Sequence, residues 1–209
     1  MIDRLRLRLL WQCVRRDDRA AQIVEFAVAL PLLVVFVVGI FDFSGAFTLK
    51  QKLTNAARDA ARAAAADPIG DLSATTPVSV NDAFWIVDNY LIANKINDCG
   101  ITPGGSVSVT GPPSWKFVAP GSPLNSCPSS GLTIIINRSY YFPATATAQP
   151  ASVDCARQTV TTTQTAVIST CVSIQYGYQW RFGPAASLLG STPVLPSTIT
   201  GVAVAMNEN

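Results

Sequence analysis

The chain has 209 residues, of which 49 % are hydrophobic and 13 % charged, and its formal net charge is +2. It contains no histidine, which excludes His-based acid–base catalysis and His metal sites; it also lacks a CxxC pair and a Gly-rich phosphate loop ahead of a helix. The first 20 residues hold six Arg and three Asp, a charge of +3, and the rest hold nine basic and ten acidic residues, a charge of −1, so the larger part has no basic footprint for nucleic acid.

Residues 1–20 form a basic leader with Arg4, Arg6, Arg8, Arg15, Arg16 and Arg19. Such a cluster beside an apolar segment keeps its own side in the cytoplasm and sends the remainder out. The apolar segment runs from Ala20 to Phe43 (AAQIVEFAVALPLLVVFVVGIFDF), with an acid near each end, Glu25 and Asp42. The 16 residues between these acids are uncharged. As a helix they reach about 24 Å, short of a hydrocarbon core of roughly 30 Å. A full span of about 20 residues therefore brings one or both acids to the interface of the lipid bilayer or slightly into it. The expected transmembrane helix covers residues 21–48, and the expected exported domain covers 49–209.

The pattern predicts one helix over residues 20–66. Pro31 inside it removes a backbone bond and can kink it. Gly39 and Gly45 thin its surface and admit a close neighbour. Past the span, Leu49, Leu53, Ala56, Ala60 and Ala63 share one face. Arg58 and Arg62 share another, read either as a solvated face or as a subunit contact. Asp67-Pro68 ends the helix, because the residue before proline is pushed out of the α region. A second helix is expected over 81–96, capped by Ser79 or Asn81. Its buried stripe is Phe84, Val87 and Leu91, joined by Trp85, Ile92 and Ile96.

From Cys99 onward the signals change to period two. Val107 and Val109 mark a short strand, and the Pro-, Gly- and Ser-rich residues 112–130 read as a long loop. Residues 132–142 and 167–182 read as strands, the second with Val172, Ile174, Tyr176, Tyr178, Trp180 and Phe182 on one face. Residues 143–165 fit a weak strand or an exposed loop, and 197–206 a last strand. A helix-first, antiparallel-sheet-second order gives an α+β fold in which the sheet covers the alanine side of the long helix.

Cys99, Cys127, Cys155 and Cys171 all follow the span, whereas Cys13 precedes it. Four cysteines admit three pairings. Neighbouring pairs suit a meandering sheet and favour Cys99–Cys127 and Cys155–Cys171; the alternative is four free thiols in a reducing compartment. Asp67 and Asp71, with nearby carbonyls, could hold a Ca²⁺, but no oxygen-ligand spacing pattern supports such a site. No metal, cofactor or catalytic residue is expected. Asn137-Arg138-Ser139 matches a glycosylation sequon, a motif short enough to arise by chance.

The surroundings of Glu25 carry a resemblance. A basic head, Ala20-Ala21, three residues, Glu25-Phe26 and a long apolar helix resemble the processing site of type IV prepilins. In those proteins a membrane aspartyl peptidase cuts after a small residue, with a Glu five places later. The cut would fall between Ala20 and Ala21, with Ala where that family has Gly. More widely, VEFAVALPLLVVFVVGIFDFSGAF, LTNAARDAARAAA and the ending Val202-Ala203-Val204-Ala205-Met206-Asn207-Glu208 look like the TadE family of Tad (tight adherence) pilus-assembly proteins.

The resemblance implies a non-catalytic, single-pass minor pilin or pseudopilin in the bacterial inner membrane, its N-terminus cytoplasmic and its C-terminal domain periplasmic or otherwise extracytoplasmic. It would act in type IV pilus-like assembly, secretion or adhesion. Implied partners are the prepilin peptidase, a sibling minor pilin, the major pilin and the inner-membrane assembly platform. A new α-amine at Ala21 could neutralise a neighbouring subunit's Glu25. The other reading of Glu25 is an interfacial acid favoured by the helix dipole. Asp42 is expected at the membrane exit or at a partner contact. Two alternatives remain in the sequence: an uncleaved inner-membrane scaffold of the same machine, and a secreted domain whose signal peptide is cut after Ser44-Gly45-Ala46.

Overall fold

A computed structural model of the chain describes residues 18–68, 70, 72, 74–103, 108–109, 114–143, 155, 166–181 and 195–208. Two helices, α1 (Asp18–Ala66) and α2 (Val78–Ala93), precede five strands: β1 (Ser108–Val109), β2 (Ser114–Ala119), β3 (Leu132–Pro143), β4 (Ala166–Gly177) and β5 (Thr198–Met206). Every neighbouring pair is antiparallel, and the sheet order is the chain order. This is the α+β arrangement expected from the sequence. The chain divides into two compact units: Met1–Ser44 with Trp180–Leu195, and Gly45–Gln179 with Pro196–Asn209. Helix α1 contributes to both.

The second unit is built on rungs across the sheet. Trp115, Ile136, Val172 and Ala203 are register partners, as are Phe117, Ile134, Ile174 and Gly201. Each rung shrinks from an aromatic on β2 to Ala or Gly on β5, and the apolar members are buried. The two helices match that taper. At the thick end α2 sets Phe84 against Phe117, with ring centroids 4.8 Å apart. At the thin end α1 brings a face of small residues. Leu53, Ala56, Ala57, Ala60, Ala61, Ala64 and Ala65 are at most 2 % exposed. A Cβ on Gly201 would meet the Leu53 backbone and lie 2.5 Å from the Thr54 nitrogen. Alanine on one side and glycine on the other let two backbones touch. Leu49 and Ala63 are only half-buried, so the packed face is rotated slightly from the expected one. Each fully buried large side chain on these rungs stabilises the fold by about 1.5–3 kcal/mol.

The end of α1 is closed by the sheet. Glu208 N donates to Ala65 O at 3.3 Å. The fully buried Arg138 donates through one guanidinium nitrogen to Asp67 O at 2.8 Å and Pro68 O at 3.4 Å. A cation here satisfies carbonyls just beyond the helix and complements its dipole. Arg138 reaches this place because the β3–β4 register shifts between Asn137 and Tyr140. Asn137 Oδ1 accepts from Ser139 N at 2.9 Å within the shift. Asn137 is 3 % exposed, so the sequon is a bulge rather than a glycan acceptor.

Both disulfides join neighbouring cysteines, Cys99–Cys127 and Cys155–Cys171. The second belongs to a cluster with Ile135 and Tyr140, flanked by Val202 and Val204, on the sheet face opposite the rungs. Cross-links of this span stabilise by roughly 3 kcal/mol in the chain-entropy account.

Four expectations are corrected. Residues 114–119, read as loop, form β2: Trp115, Phe117 and Ala119 are buried, and Val118 is 38 % exposed. Helix α2 starts at Val78, with Pro77 at the N-cap and no side-chain cap. Ser79 is buried in the first turn and Asn81 lies inside the helix, so neither caps it. Ile96 lies past the helix end, and Trp85 and Ile92 are 43 % and 56 % exposed, outside the stripe. Strand β4 stops at Gly177 instead of running to residue 182. The leader through residue 17, Asp71, Val107 and Phe182 fall outside the described residues.

Candidate membrane and partner-contact surface

In the first unit, α1 carries large apolar side chains with almost no protein over them. Ile23, Val24, Phe26, Val28, Leu33, Phe36, Ile40 and Phe41 are 61–75 % exposed. Among the described residues one helix is long and apolar enough to cross a membrane, and only 11 % of its most apolar stretch is buried. A soluble core helix of that composition would be covered by protein; this one is bare. Ala21, Glu25 and Phe26 are all exposed on continuous helix, and Ala20 lies within that same helix. Pro31 is exposed inside α1, with helix on both sides.

The residues at the far end of the apolar stretch are engaged. Asp42 is 7 % exposed, and its Oδ2 accepts from Arg181 N at 2.7 Å. Phe43 and Trp180 pair with centroids 5.2 Å apart. Val35, Gly39 and Asp42 are the buried positions between residues 21 and 44. Their spacing of four and three places them on one face. Gly39 sits in this covered face, whereas Gly45 is exposed and a Cβ there would lie 3.0 Å from the Tyr178 hydroxyl.

In the second unit, Arg58 and Arg62 are exposed on the side of α1 away from its alanines. Lys52 Nζ donates to Asn94 O at 3.3 Å, tying α1 to the end of α2. An open cleft of about 570 Å³ beside the Cys99–Cys127 bridge is lined by Leu49, Lys95, Asn97, Tyr176 and Tyr178. Burial is the main cause that pushes the Tyr176 hydroxyl above its ordinary value of 10.0, so it stays protonated and offers no base.

Sequence reasoning missed three features. The first is the Arg138 network: Arg138 donates to Thr170 Oγ1 at 3.0 Å, Thr170 to Asn207 Oδ1 at 2.6 Å, and Asn207 Nδ2 to Arg138 O at 3.2 Å. It gives the C-terminal ending that carried the family resemblance a structural task. The second is Gly201, whose only signal was a glycine amid β-branched residues. The third is Asp88, 5 % exposed on α2, whose Oδ1 has no hydrogen-bond partner among the described residues. Burial, then the nearby Asp98, pushes its carboxyl above the usual range.

No curated protein and no solved structure matches the chain. Residues 20–62, where the bare half of α1 passes into its alanine half, match the family described as TadE-like protein, in agreement with the resemblance in the sequence.

Proposed function

We propose that this chain is a non-catalytic, membrane-anchored minor pilin or pseudopilin of a Tad-type pilus assembly or secretion machine. The observation that carries the reading is the two-fold use of α1. Its first half leaves large apolar side chains outside any protein core, and its second half is buried as a small-residue face. Exposing such a first half to water costs about 25 cal/mol per Å² of apolar surface, a cost that lipid removes. The TadE-like match, over residues 20–62, supports a task in pilus assembly.

In this reading the helix anchors the chain in the inner membrane, with the leader in the cytoplasm and the sheet domain outside. The prepilin peptidase cuts between Ala20 and Ala21. The exposed Glu25 then meets an α-amine from a neighbouring subunit, and its burial without such a partner would be costly. The sibling minor pilin, major pilin and assembly platform are the proposed partners, with Arg58 and Arg62 free of the core for subunit contact. The secreted-domain reading is disfavoured by Ser44 to Ala46, which lie inside continuous helix with Ala46 buried.

The test is the mature N-terminus of the protein purified from membranes of its native host. A start at Ala21 supports the processed subunit. A start at Met1 leaves an uncleaved scaffold, and a start at Phe47 removes the anchor and the proposal.

A further inference from the structure

We propose that Trp180 and Arg181 form a second membrane contact, an interfacial clamp that engages phospholipid beside α1. The inference rests on the anchor reading above and adds to it a contact from a distant part of the chain.

The level of the clamp follows from α1 itself. The stretch Ala21 to Phe41 has 21 residues. As a helix it spans about 31 Å, close to one hydrocarbon core. Asp42 and Phe43 therefore emerge at the far boundary. Trp180 and Arg181 meet the helix there, through the Phe43 ring and the Asp42 carboxylate. Both types suit that depth: indole rings settle at the headgroup level, and an arginine stem lies along apolar surface while its guanidinium reaches phosphate.

The surroundings agree. Phe41 and Phe43 are 75 % and 52 % exposed, and Arg181 is exposed. Asp42 would otherwise be a liability at this boundary, since a bare carboxylate is costly near hydrocarbon and repels anionic lipid. The Arg181 amide satisfies one of its oxygens, and the Arg181 side chain offers lipid phosphate the opposite charge. The buried face of Val35, Gly39 and Asp42 is the side of the helix turned from lipid.

Tryptophan quenching by brominated phospholipid tests this on the full chain in phosphatidylcholine–phosphatidylglycerol vesicles. A W11F/W85F background leaves Trp180 and Trp115. Trp115 is 2 % exposed and donates to Thr75 O at 2.9 Å, so it serves as the unquenched reference. Lipid brominated near the headgroup end of the acyl chain is expected to quench the Trp180 emission, with a weaker effect from lipid brominated near the chain end. W180F in the same background is expected to lose the quenching, and D42A to reduce it. Emission that brominated lipid leaves unchanged, in protein that resists alkaline carbonate extraction, overturns the clamp and spares the anchor. Release by carbonate overturns both.

Discussion

The two halves of α1 share a backbone and a hydrophobic character, yet they solve opposite problems. Between residues 21 and 44 the helix carries Phe, Leu, Val and Ile, most of them bare. Between Leu53 and Ala65 its apolar positions are almost all alanine, and all but the half-buried Ala63 are buried. The large side chains have no protein to fill, which suits a fluid apolar solvent. The small ones admit a glycine of β5 to the helix backbone. Hydropathy alone does not distinguish these tasks; side-chain volume and exposure do. The comparison predicts that the packed half responds to volume and to lost polar partners, and the bare half only to charge.

The largest effect is expected at the closed end of the packed half. Arg138→Ala leaves carbonyls at the end of α1, and Thr170, without their buried donor. Removing one partner from a buried charged network costs about 3–5 kcal/mol, read as a fall in the denaturation midpoint of the second unit. In the bare half, Val34→Arg is expected to disfavour membrane insertion by about 3 kcal/mol, roughly a hundredfold, in a glycosylation-mapped insertion assay. Asn55→Arg, at an exposed position of the packed half, is expected to change stability by no more than about 0.5 kcal/mol.

Volume sharpens the contrast. Gly201→Ala or Ala60→Leu forces a side chain between α1 and the sheet and is expected to cost about 1–3 kcal/mol. Val34→Leu in the bare half should leave both insertion and domain stability unchanged. Equal penalties in the two halves would break the comparison.

The smallest effect is a pH dependence. The raised Asp88 carboxyl means that the folded chain holds a proton which the unfolded chain releases near 3.8. Stability contributed by that proton is present below this pH and is lost as pH rises through the higher folded value. Asp88→Asn should therefore be more stable than the parent at neutral pH, with the advantage fading on acidification in a pH series of denaturant melts.

Much of this was legible because it depends on local pattern. The long helix and its stop at Asp67-Pro68 and strands β3, β4 and β5 follow from periodicity and spacing; the disulfide pairing was favoured by the meander but not fixed, because four cysteines admit three pairings. Strand β2 was hidden because SWKFVA is six residues set among prolines, glycines and serines, and composition averaged over the window outweighed its alternation. The start of α2 was misplaced because Pro77 begins it by backbone geometry, without the polar cap that sequence rules seek. Trp180 continued the β4 alternation in sequence, yet its ring belongs with Phe43, a contact 137 positions away that no local pattern encodes. Arg138 was unreadable for the same reason: its partners lie at residues 67, 68, 170 and 207.

The most direct test of the two-halves account is a spin-label scan. Single cysteines introduced along residues 21–65 of a Cys13→Ser chain in bilayers report access to oxygen and to a water-soluble nickel reagent. The account predicts high oxygen access on every side of the helix at residues 21–34, with no helical period. It then predicts a period of about 3.6 residues from Leu53 to Ala65, with the alanine face shielded from both reagents. Nickel access, or a helical period of protein burial across residues 21–34, would contradict it.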